Sequence, residues 1–334
     1  MKLLVTGATG FIGGRVARLL LEAGHEVRAL VRSRAKAESQ ALEKEGIALA
    51  DGDITDRASL RKAMEGVDGV YHLAAWYKVG ARDKEVARAI NVDGTRNVLE
   101  TMRDLGVPKG VYTSTLAVFG HTHGKVVDES YRPEEPYVSE YDRTKGAAHF
   151  DVALPLMRAG LPLVVVQPGL VYGPGDTSQV RDIWIQYLTR KLPAVPKGVA
   201  YCWGHVDDTA RAHLLAMEKG RPGEAYITAG PVHTLDEAFA IAERITGVRP
   251  PRLHMGPTML KAMAAVTSVV EKVVSVPEQM ASETLRVSAG VTYLGSAEKA
   301  RRELGFTARP LEEGLRETLA HEMKLLGLPA PAGK

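Results

Sequence analysis

A doubly wound α/β fold, with a parallel sheet covered by helices on both faces and a smaller C-terminal lobe, is what this 334-residue chain predicts. Three observations carry that reading. Residues 2–32 run as an apolar strand, a loop holding Gly7, Gly10 and Gly13, an amphipathic run ending at Gly24, and a second apolar strand closed by Arg32. Strand and helix patterns then alternate as far as Gln167. From Pro168 glycine and proline cluster, in residues 169–175 and again in 192–198, so the chain leaves the sheet for a loop-rich lobe.

The elements follow in order. Residues 2–6 are apolar and end at a glycine, as a buried strand does. The helix behind the glycine loop begins near Phe11 and Ile12, and its first N–H groups have no intrahelical partner. Such a helix start is partly positive, and a pyrophosphate docks there once glycines let it approach. With residues 26–31 as a second strand, this is the opening of a Rossmann-type dinucleotide-binding fold. A strand over 47–50, a helix over 57–65 and a strand over 69–73 come next. They are followed by a long helix over 84–105, a strand over 110–115, a helix over 139–159 and the strand 163–167, apolar throughout. The expected division is a nucleotide-binding domain over 1–167 and a mainly substrate-binding lobe over 168–334, with about 201–244 returning to the sheet. That return holds a helix over 207–219, a strand over 224–229 and a helix over 234–246. Amphipathic helices over 297–304 and 311–326 precede a frayed tail.

Composition sets outer bounds. The chain is 45% hydrophobic and 25% charged, ordinary for a soluble globular protein. Its 43 basic and 40 acidic residues are interspersed, so the net charge of +3 points to no nucleic-acid partner. The single cysteine, Cys202, excludes an intramolecular disulfide and fits a reducing cytoplasm, and the apolar Leu3–Val5 runs into the glycine loop instead of a signal peptide. Residues 259–276 are the most lipid-like stretch. Lys261, Glu271 and Lys272 interrupt it, so no membrane span is expected. An amphipathic helix lining a substrate pocket is the expectation, and contact with a membrane surface is the alternative.

Tyr141-Asp142-Arg143-Thr144-Lys145 carries the chemistry. Positions i and i+4 share a helix face, so phenol and ammonium point the same way. A tyrosine titrates near ~10 in water. A lysine one turn away, or the positive ring of an oxidised nicotinamide, favours its phenolate. The tyrosine then trades a proton with a substrate hydroxyl or carbonyl. Tyr187 and Lys191 repeat the spacing, but only Tyr141 follows a strand ending in Thr113, Ser114 and Thr115. The second pair is read as a chance match. His121 and His123 sit in a polar loop without supporting ligands, and His205-Val206-Asp207-Asp208 reads as a strand end and helix cap, so no metal is expected.

With these residues in view the chain resembles the extended short-chain dehydrogenase/reductases, the NAD-dependent epimerase/dehydratase family, and among them the dihydroflavonol 4-reductase-like NADPH carbonyl reductases. The landmarks are Gly-Ala-Thr-Gly-Phe-Ile-Gly at 7–13, Gly-Asp-Ile-Thr-Asp at 52–56, Leu-Ala-Ala at 73–75, Asn-Val-Asp-Gly-Thr at 91–95, Thr-Ser-Thr at 113–115, 141–145, 168–176 and His-Val-Asp-Asp at 205–208. The resemblance implies that Gly7, Thr9, Gly10, Phe11, Ile12 and Gly13 hold the cofactor phosphates. Asp53 and Ile54 meet adenine, and Leu73, Ala74 and Ala75 form the floor under phosphates and ribose. Asn91 braces the site beside the cofactor and orders a relay water. Tyr141 and Lys145 meet the nicotinamide ribose, and backbone around Pro168–Val171 holds the carboxamide. It also implies catalysis by Thr115, Tyr141 and Lys145. Ser114 is the neighbouring hydroxyl, and strand alternation lets only one of the two face the site; Thr115 is chosen. A homodimer through the helices over 84–105 and 139–159 is implied as well.

Cofactor and reaction follow from departures within that pattern. Where NAD-preferring relatives place a carboxylate to bond the ribose hydroxyls, this chain has Val31, followed by Arg32, Arg34 and Lys36. An arginine pairs with a 2′-phosphate that a carboxylate would repel, so NADP(H) is expected, with NAD(H) second. Thr115-Leu116-Ala117 lacks the Asp-Glu pair that sugar dehydratases carry. Residues 200–204 lack the arginine with which nucleotide-sugar epimerases grip a diphosphate, although Arg181, Arg190 and Lys191 lie elsewhere in the lobe. Trp76, Tyr77, Tyr137 and Trp184 are bulky, amphipathic pocket candidates, and equally core candidates. The expected activity is reduction of a hydrophobic or aromatic ketone or aldehyde, with Tyr141 as proton donor and Thr115 on the developing oxyanion. Epimerisation of a nucleotide sugar is the alternative.

Overall fold

The computed structural model describes residues 1–80 and 83–330. Its strands are β1 (Lys2–Thr6), β2 (Glu26–Val31), β3 (Ala48–Asp51), β4 (Gly69–His72), β5 (Gly110–Thr113), β6 (Leu163–Gln167), β7 (Leu170–Tyr172), β8 (Val195–Pro196), β9 (Ala200–His205), β10 (Ala225–Ile227), β11 (Val232–Thr234), β12 (His254–Met255) and β13 (Thr292–Tyr293). Seven of them form one parallel sheet in the order β10-β6-β5-β4-β1-β2-β3. The strand order reverses between β1 and β4, and the crevice beyond their carboxyl ends is where such sheets bind ligands.

Both faces of the sheet are buried, so alternate residues serve different layers. Leu3 and Val5 pack with Val16 and Leu20 of α1 (Phe11–Glu22). Ala212 and Ala216 of α9 (Val206–Lys219) and Leu304 of α13 (Glu298–Leu304) complete that layer. Leu4, Val70, Tyr112 and Val165 face the other way, onto Leu60 of α3 (Arg57–Met64), Val98 and Met102 of α5 (Thr95–Asp104) and Met157 of α7 (Leu154–Arg158). Each buried aliphatic side chain contributes about 1.5–3 kcal/mol, and a one-residue slip would invert both layers, which fixes the register.

Each of the two long helices contains a wider, π-helical turn. The first runs α4 (Lys84–Arg88), a π-helical stretch Ala89–Gly94, then α5; the second runs α6 (Glu140–Ala147), a π-helical stretch Ala148–Ala153, then α7. Such turns gather at functional sites, and Asn91 lies in the first. The helix α2 (Ala37–Lys44) leaves no periodic apolar signal in the sequence: it is polar and buries only Ser39 and Leu42.

The second lobe holds more regular structure than its composition suggested. β11, β9 and β13 form a sheet to which β7 adds, and α8 (Gln179–Leu188), α10 (Leu235–Thr246) and α14 (Leu311–Leu325) cover an aromatic core. Strands of two or three residues are too short to announce themselves by periodicity. The chain rejoins the main sheet through α9 and β10, whereas β9 and α10 belong to the lobe. The helices α11 (Pro257–Val270) and α12 (Ser282–Val287) form a side hairpin packed through Leu260, Ala264 and Leu285. Among the described residues no helix is long and apolar enough to cross a membrane.

Candidate active site

The crevice at the carboxyl ends of β1 and β4 is set by buried hydrogen bonds. Thr6 Oγ1 and His72 Nδ1 are 2.8 Å apart, His72 Nε2 and Thr95 Oγ1 3.0 Å, and the Ala74 N–H donates to Thr6 Oγ1 at 3.3 Å. Burial and the nearby Lys145 push His72 down to about 3, so it is a neutral hinge between strand and helix. Gly7 has φ +75°, and a Cβ there would lie 2.7 Å from the Ala74 nitrogen. A Cβ on Gly13 would stand 2.1 Å from the Gly7 carbonyl oxygen. Gly10 precedes α1 without a side-chain cap, leaving the helix start open to an anion. This cradle of backbone, which side chains would fill, fits the phosphates of a dinucleotide.

Around it the expected cofactor residues divide. Ala74 closes against Gly7 as a floor. Asp53 accepts from the Thr55 N–H and hydroxyl through Oδ1, both at 2.8 Å, so half of its carboxylate holds its own turn. Ile54 is buried in the core against Gly94. Arg34 is engaged with Asp51 at 2.9 Å and the Leu49 carbonyl at 2.7 Å. Arg32, exposed at the end of β2, makes no side-chain hydrogen bond or ion pair among the described residues. At β7, Val171 pairs with Gly204, and the Pro168 carbonyl accepts the Leu116 N–H at 2.9 Å.

The three hydroxyls at the end of β5 turn to different partners. Ser114 Oγ lies 3.1 Å from His149 Nδ1 in the core, and Thr113 Oγ1 2.8 Å from His213 Nε2. Thr115 Oγ1 instead accepts the Ala117 N–H at 3.2 Å and stands beside the Tyr141 phenol, which it favours in the ionised form. Ser139 caps α6 by accepting the Asp142 N–H at 3.0 Å, which puts Tyr141 in the first turn and Lys145 in the next. Lys145 is buried, donating to the Thr113 carbonyl at 2.8 Å and to Tyr112 Oη at 3.2 Å. Burial pushes its ammonium down to about 7.

One expectation is corrected here. Tyr141 is pushed up to about 12, by burial first and by Asp142, while the Thr115 hydroxyl pulls the other way. Lys145 does not draw it toward phenolate, because that ammonium is directed onto Tyr112 and Thr113 and is itself half-titrated near neutrality. Burial thus keeps the phenol protonated at neutral pH.

Asn91 is engaged as a brace, with its side chain turned to protein partners. Its Oδ1 accepts the Trp76 N–H at 2.8 Å, and its Nδ2 donates to the Trp76 carbonyl at 2.9 Å and to Thr144 Oγ1 at 3.0 Å. It ties the loop after β4 to the helix bearing Lys145. The pocket candidates also separate. Tyr77 is half exposed, its hydroxyl 3.3 Å from Thr177 Oγ1, on the same loop as Trp76. Tyr137 donates to the Val118 carbonyl at 2.9 Å and lies against Gly146, packing on the outer face of α6. Trp184 is 2% exposed among Tyr187, Trp203 and Phe239, so it is core and not pocket wall. Tyr187 bonds Thr246 and the Val248 carbonyl inside the lobe, away from α6. His205 Nδ1 accepts the Asp207 N–H at the start of α9, as a cap does, and Arg309 pairs with the neighbouring Asp208 and Glu317. His121 Nδ1 accepts the Thr292 N–H, and His123 Nε2 is 3.4 Å from Glu135.

Sequence reasoning missed the partners of Asp142. Tyr293 Oη donates to it at 2.7 Å, and Glu283 of α12 stands close by. Burial pushes this carboxyl up to about 7 from 3.8. Its folded value lies above its unfolded one, so the stability it contributes is complete below about pH 4 and is lost as pH rises through about 7. Asp142→Asn still accepts from Tyr293 but cannot ionise. The variant is expected to melt progressively higher relative to the parent between about pH 4 and 7. Parallel melting curves across that window would refute the assignment.

A family model described as NAD dependent epimerase/dehydratase family matches residues 3–229. The chain belongs to that family. It is an enzyme family of extended short-chain dehydrogenase/reductase type that binds a nicotinamide cofactor. The chain is similar to the sterol demethylase protein B of Methylococcus capsulatus, 33% identical over 276 residues, covering 81% of this chain and 83% of that one. It is 32% identical over 323 residues to a 4-hydroxy-2-methyl-3-oxo-4-farnesyl-3,4-dihydroquinoline-1-oxide ketoreductase of Stigmatella aurantiaca, covering 92% of each. Its fold is also like that of a UDP-glucose 4-epimerase from Thermotoga maritima, with a TM-score of 0.77, 25% identity, and coverage of 98% of this chain and 100% of that one.

Proposed function

We propose that this protein is an NADP(H)-dependent reductase of a lipophilic ketone or aldehyde. The observation that carries the reading is the set Thr115, Tyr141 and Lys145 at the end of β5, with a buried, protonated phenol beside a threonine hydroxyl and a buried lysine one turn on. A bound nicotinamide dinucleotide supplies the hydride. Thr115 Oγ1 and Tyr141 Oη converge on one acceptor oxygen, orienting the carbonyl and stabilising the charge that develops on it. Tyr141 then releases its proton to that oxygen. Lys145, buried one turn on and anchored by the Thr113 carbonyl, is placed to bond a ribose hydroxyl of the cofactor. Asn91 keeps the loop of Trp76 against the same helix.

The unpaired Arg32 supports NADP(H), because a free guanidinium at the end of β2 suits a 2′-phosphate. A lipophilic substrate is supported by the relatives, whose names carry a sterol and a farnesylated quinoline oxide. The reading includes a homodimer through the two long helices and a cytoplasmic setting. Nucleotide-sugar epimerisation is the second reading, favoured by the fold's likeness to the UDP-glucose epimerase. Against it stands the absence of a basic residue in 200–204.

The test is oxidation of NADPH and of NADH with a panel of aromatic ketones, aldehydes, sterol-like ketones and UDP-sugars. NADPH consumption with a lipophilic carbonyl is expected. In the same assay Val31→Asp with Arg32→Asn shifts the preference toward NADH by about tenfold or more, by loss of a charge-assisted pair. Conversion of a UDP-sugar without net cofactor consumption would overturn the reductase reading, and an unchanged ratio of efficiencies would overturn the assignment of Arg32.

A further inference from the structure

The helix α11 is apolar on two sides. Leu260, Met263 and Ala264 face α12 and pack with Leu285 and Ala289. Met259, Ala262, Val266 and Val269 recur at steps of three and four, the spacing of a single helical stripe, and this stripe faces solvent. Val266 is 65% exposed and Val269 63%, and the stripe runs on past the helix end in Val273, at 85%. A surface helix with only one buried face carries polar residues here. The sequence expectation of a helix lining a substrate pocket does not account for a second apolar face turned outward, whereas a continuous patch of this kind marks an interaction surface.

The charges around the patch select the partner. Lys261 and Lys272 are exposed on the same segment, and Arg286 is exposed on α12. Two of the three carboxylates in residues 257–287 are turned inward. Glu271 accepts the Ser282 N–H at 2.6 Å and its hydroxyl at 2.8 Å, and Glu283 accepts the Gly80 N–H at 2.8 Å and the Glu140 N–H. Glu278 alone is exposed. The patch therefore presents valines and a methionine edged by cations, which is the composition that enters the boundary between anionic headgroups and acyl chains.

We propose that the outward face of α11 docks on an anionic lipid bilayer. The position gives this a purpose. Through Glu283 the hairpin is joined to Gly80, on the loop that carries Trp76 and Tyr77, and to Glu140, next to Tyr141, and Val287 packs in the same cluster as Tyr141. A carbonyl compound dissolved in the bilayer would then meet the site where the protein touches the membrane. This purpose rests on the lipophilic substrate proposed above, but the docking itself is measured without turnover.

The test is flotation of the full chain with vesicles of phosphatidylcholine, with and without phosphatidylglycerol, at low and high salt. Binding that needs the anionic lipid and weakens in salt is expected. Val266→Glu with Val269→Glu should lower vesicle affinity by about tenfold or more, because two buried valine side chains are lost. Lys261→Glu with Lys272→Glu should abolish the preference for anionic vesicles, by about fivefold or more per position. Both variants are checked for an unchanged melting temperature. No flotation of the parent protein overturns the proposal. So does sedimentation showing that Val266→Glu with Val269→Glu splits a dimer of a parent that binds no vesicles, since a second copy then covers the face. Flotation without any carbonyl reduction would leave the docking standing and sink the substrate reading alone.

Discussion

Replacing Tyr141 with phenylalanine is expected to lower kcat for carbonyl reduction by about a thousandfold, within the range a positioned general acid supplies. The structure makes this a clean experiment. The helix bearing Tyr141 is held by the Ser139 cap and by Lys145 bonds to Thr113 and Tyr112, none of which involves the phenol hydroxyl. What the substitution removes is the hydroxyl beside Thr115 and the proton held, through burial, up to about 12. Thr115 remains to polarise the carbonyl, so some turnover over the background survives. KM and NADPH affinity should change little, because the phosphates are proposed to rest on the backbone of Gly7, Gly10 and Gly13, which the phenol hydroxyl does not support. The measurement is steady-state kcat and KM beside a direct NADPH titration. A variant retaining more than about a tenth of the parent kcat would remove Tyr141 from the chemistry. A binding module or redox sensor built on this fold would keep its function in the variant, so the same experiment separates those classes from an enzyme.

How much of this was legible in the sequence depends on how local the cause is. The opening strand, glycine loop and helix were legible because each part announces itself within a few residues, and the cradle lies where the glycine spacing predicts. That Thr115 and Ser114 face opposite ways was legible as an alternation, although the partner that holds Ser114, His149, was not. Burial of a large aromatic is a property of packing. Trp184 and Tyr137 carry the same amphipathic signature as pocket residues, yet one fills the lobe core and the other rests on Gly146. The partners of α6 come from far along the chain: Glu283 lies 143 residues from Glu140, and Tyr293 151 residues from Asp142. No spacing rule reaches that distance. The direction of the Lys145 ammonium was hidden for a related reason. The i, i+4 geometry puts it on the face of Tyr141, but the carbonyl of Thr113 and the hydroxyl of Tyr112, offered by the neighbouring strand, decide where its hydrogens go.

Gly13→Ala is expected to damage fold and cofactor binding together. An added Cβ would meet the Gly7 carbonyl oxygen at 2.1 Å and its carbon at 2.7 Å, both backbone atoms with no rotamer to escape into. Gly7 cannot retreat, since its own hydrogen faces the Ala74 backbone, where a Cβ would come within 2.7 Å of the nitrogen. The loop or α1 must therefore shift. Overpacking of this kind costs about 1–3 kcal/mol or more, which lowers the melting temperature by about 2–4 °C for each kcal/mol in a domain of this order of size. The helix N–H groups move with the loop, so NADPH affinity should fall by about tenfold or more, the loss of one well-placed charge-assisted hydrogen bond. Gly24→Ala separates the two effects. Gly24 has φ +80° with open space around its missing Cβ, so alanine there strains the backbone without touching the crevice. That control should lower the melting temperature and leave NADPH affinity unchanged. If Gly13→Ala also left affinity unchanged, the phosphates would not lie at the start of α1, and the placement of Tyr141 and Thr115 opposite the reacting end of the cofactor would fall with them.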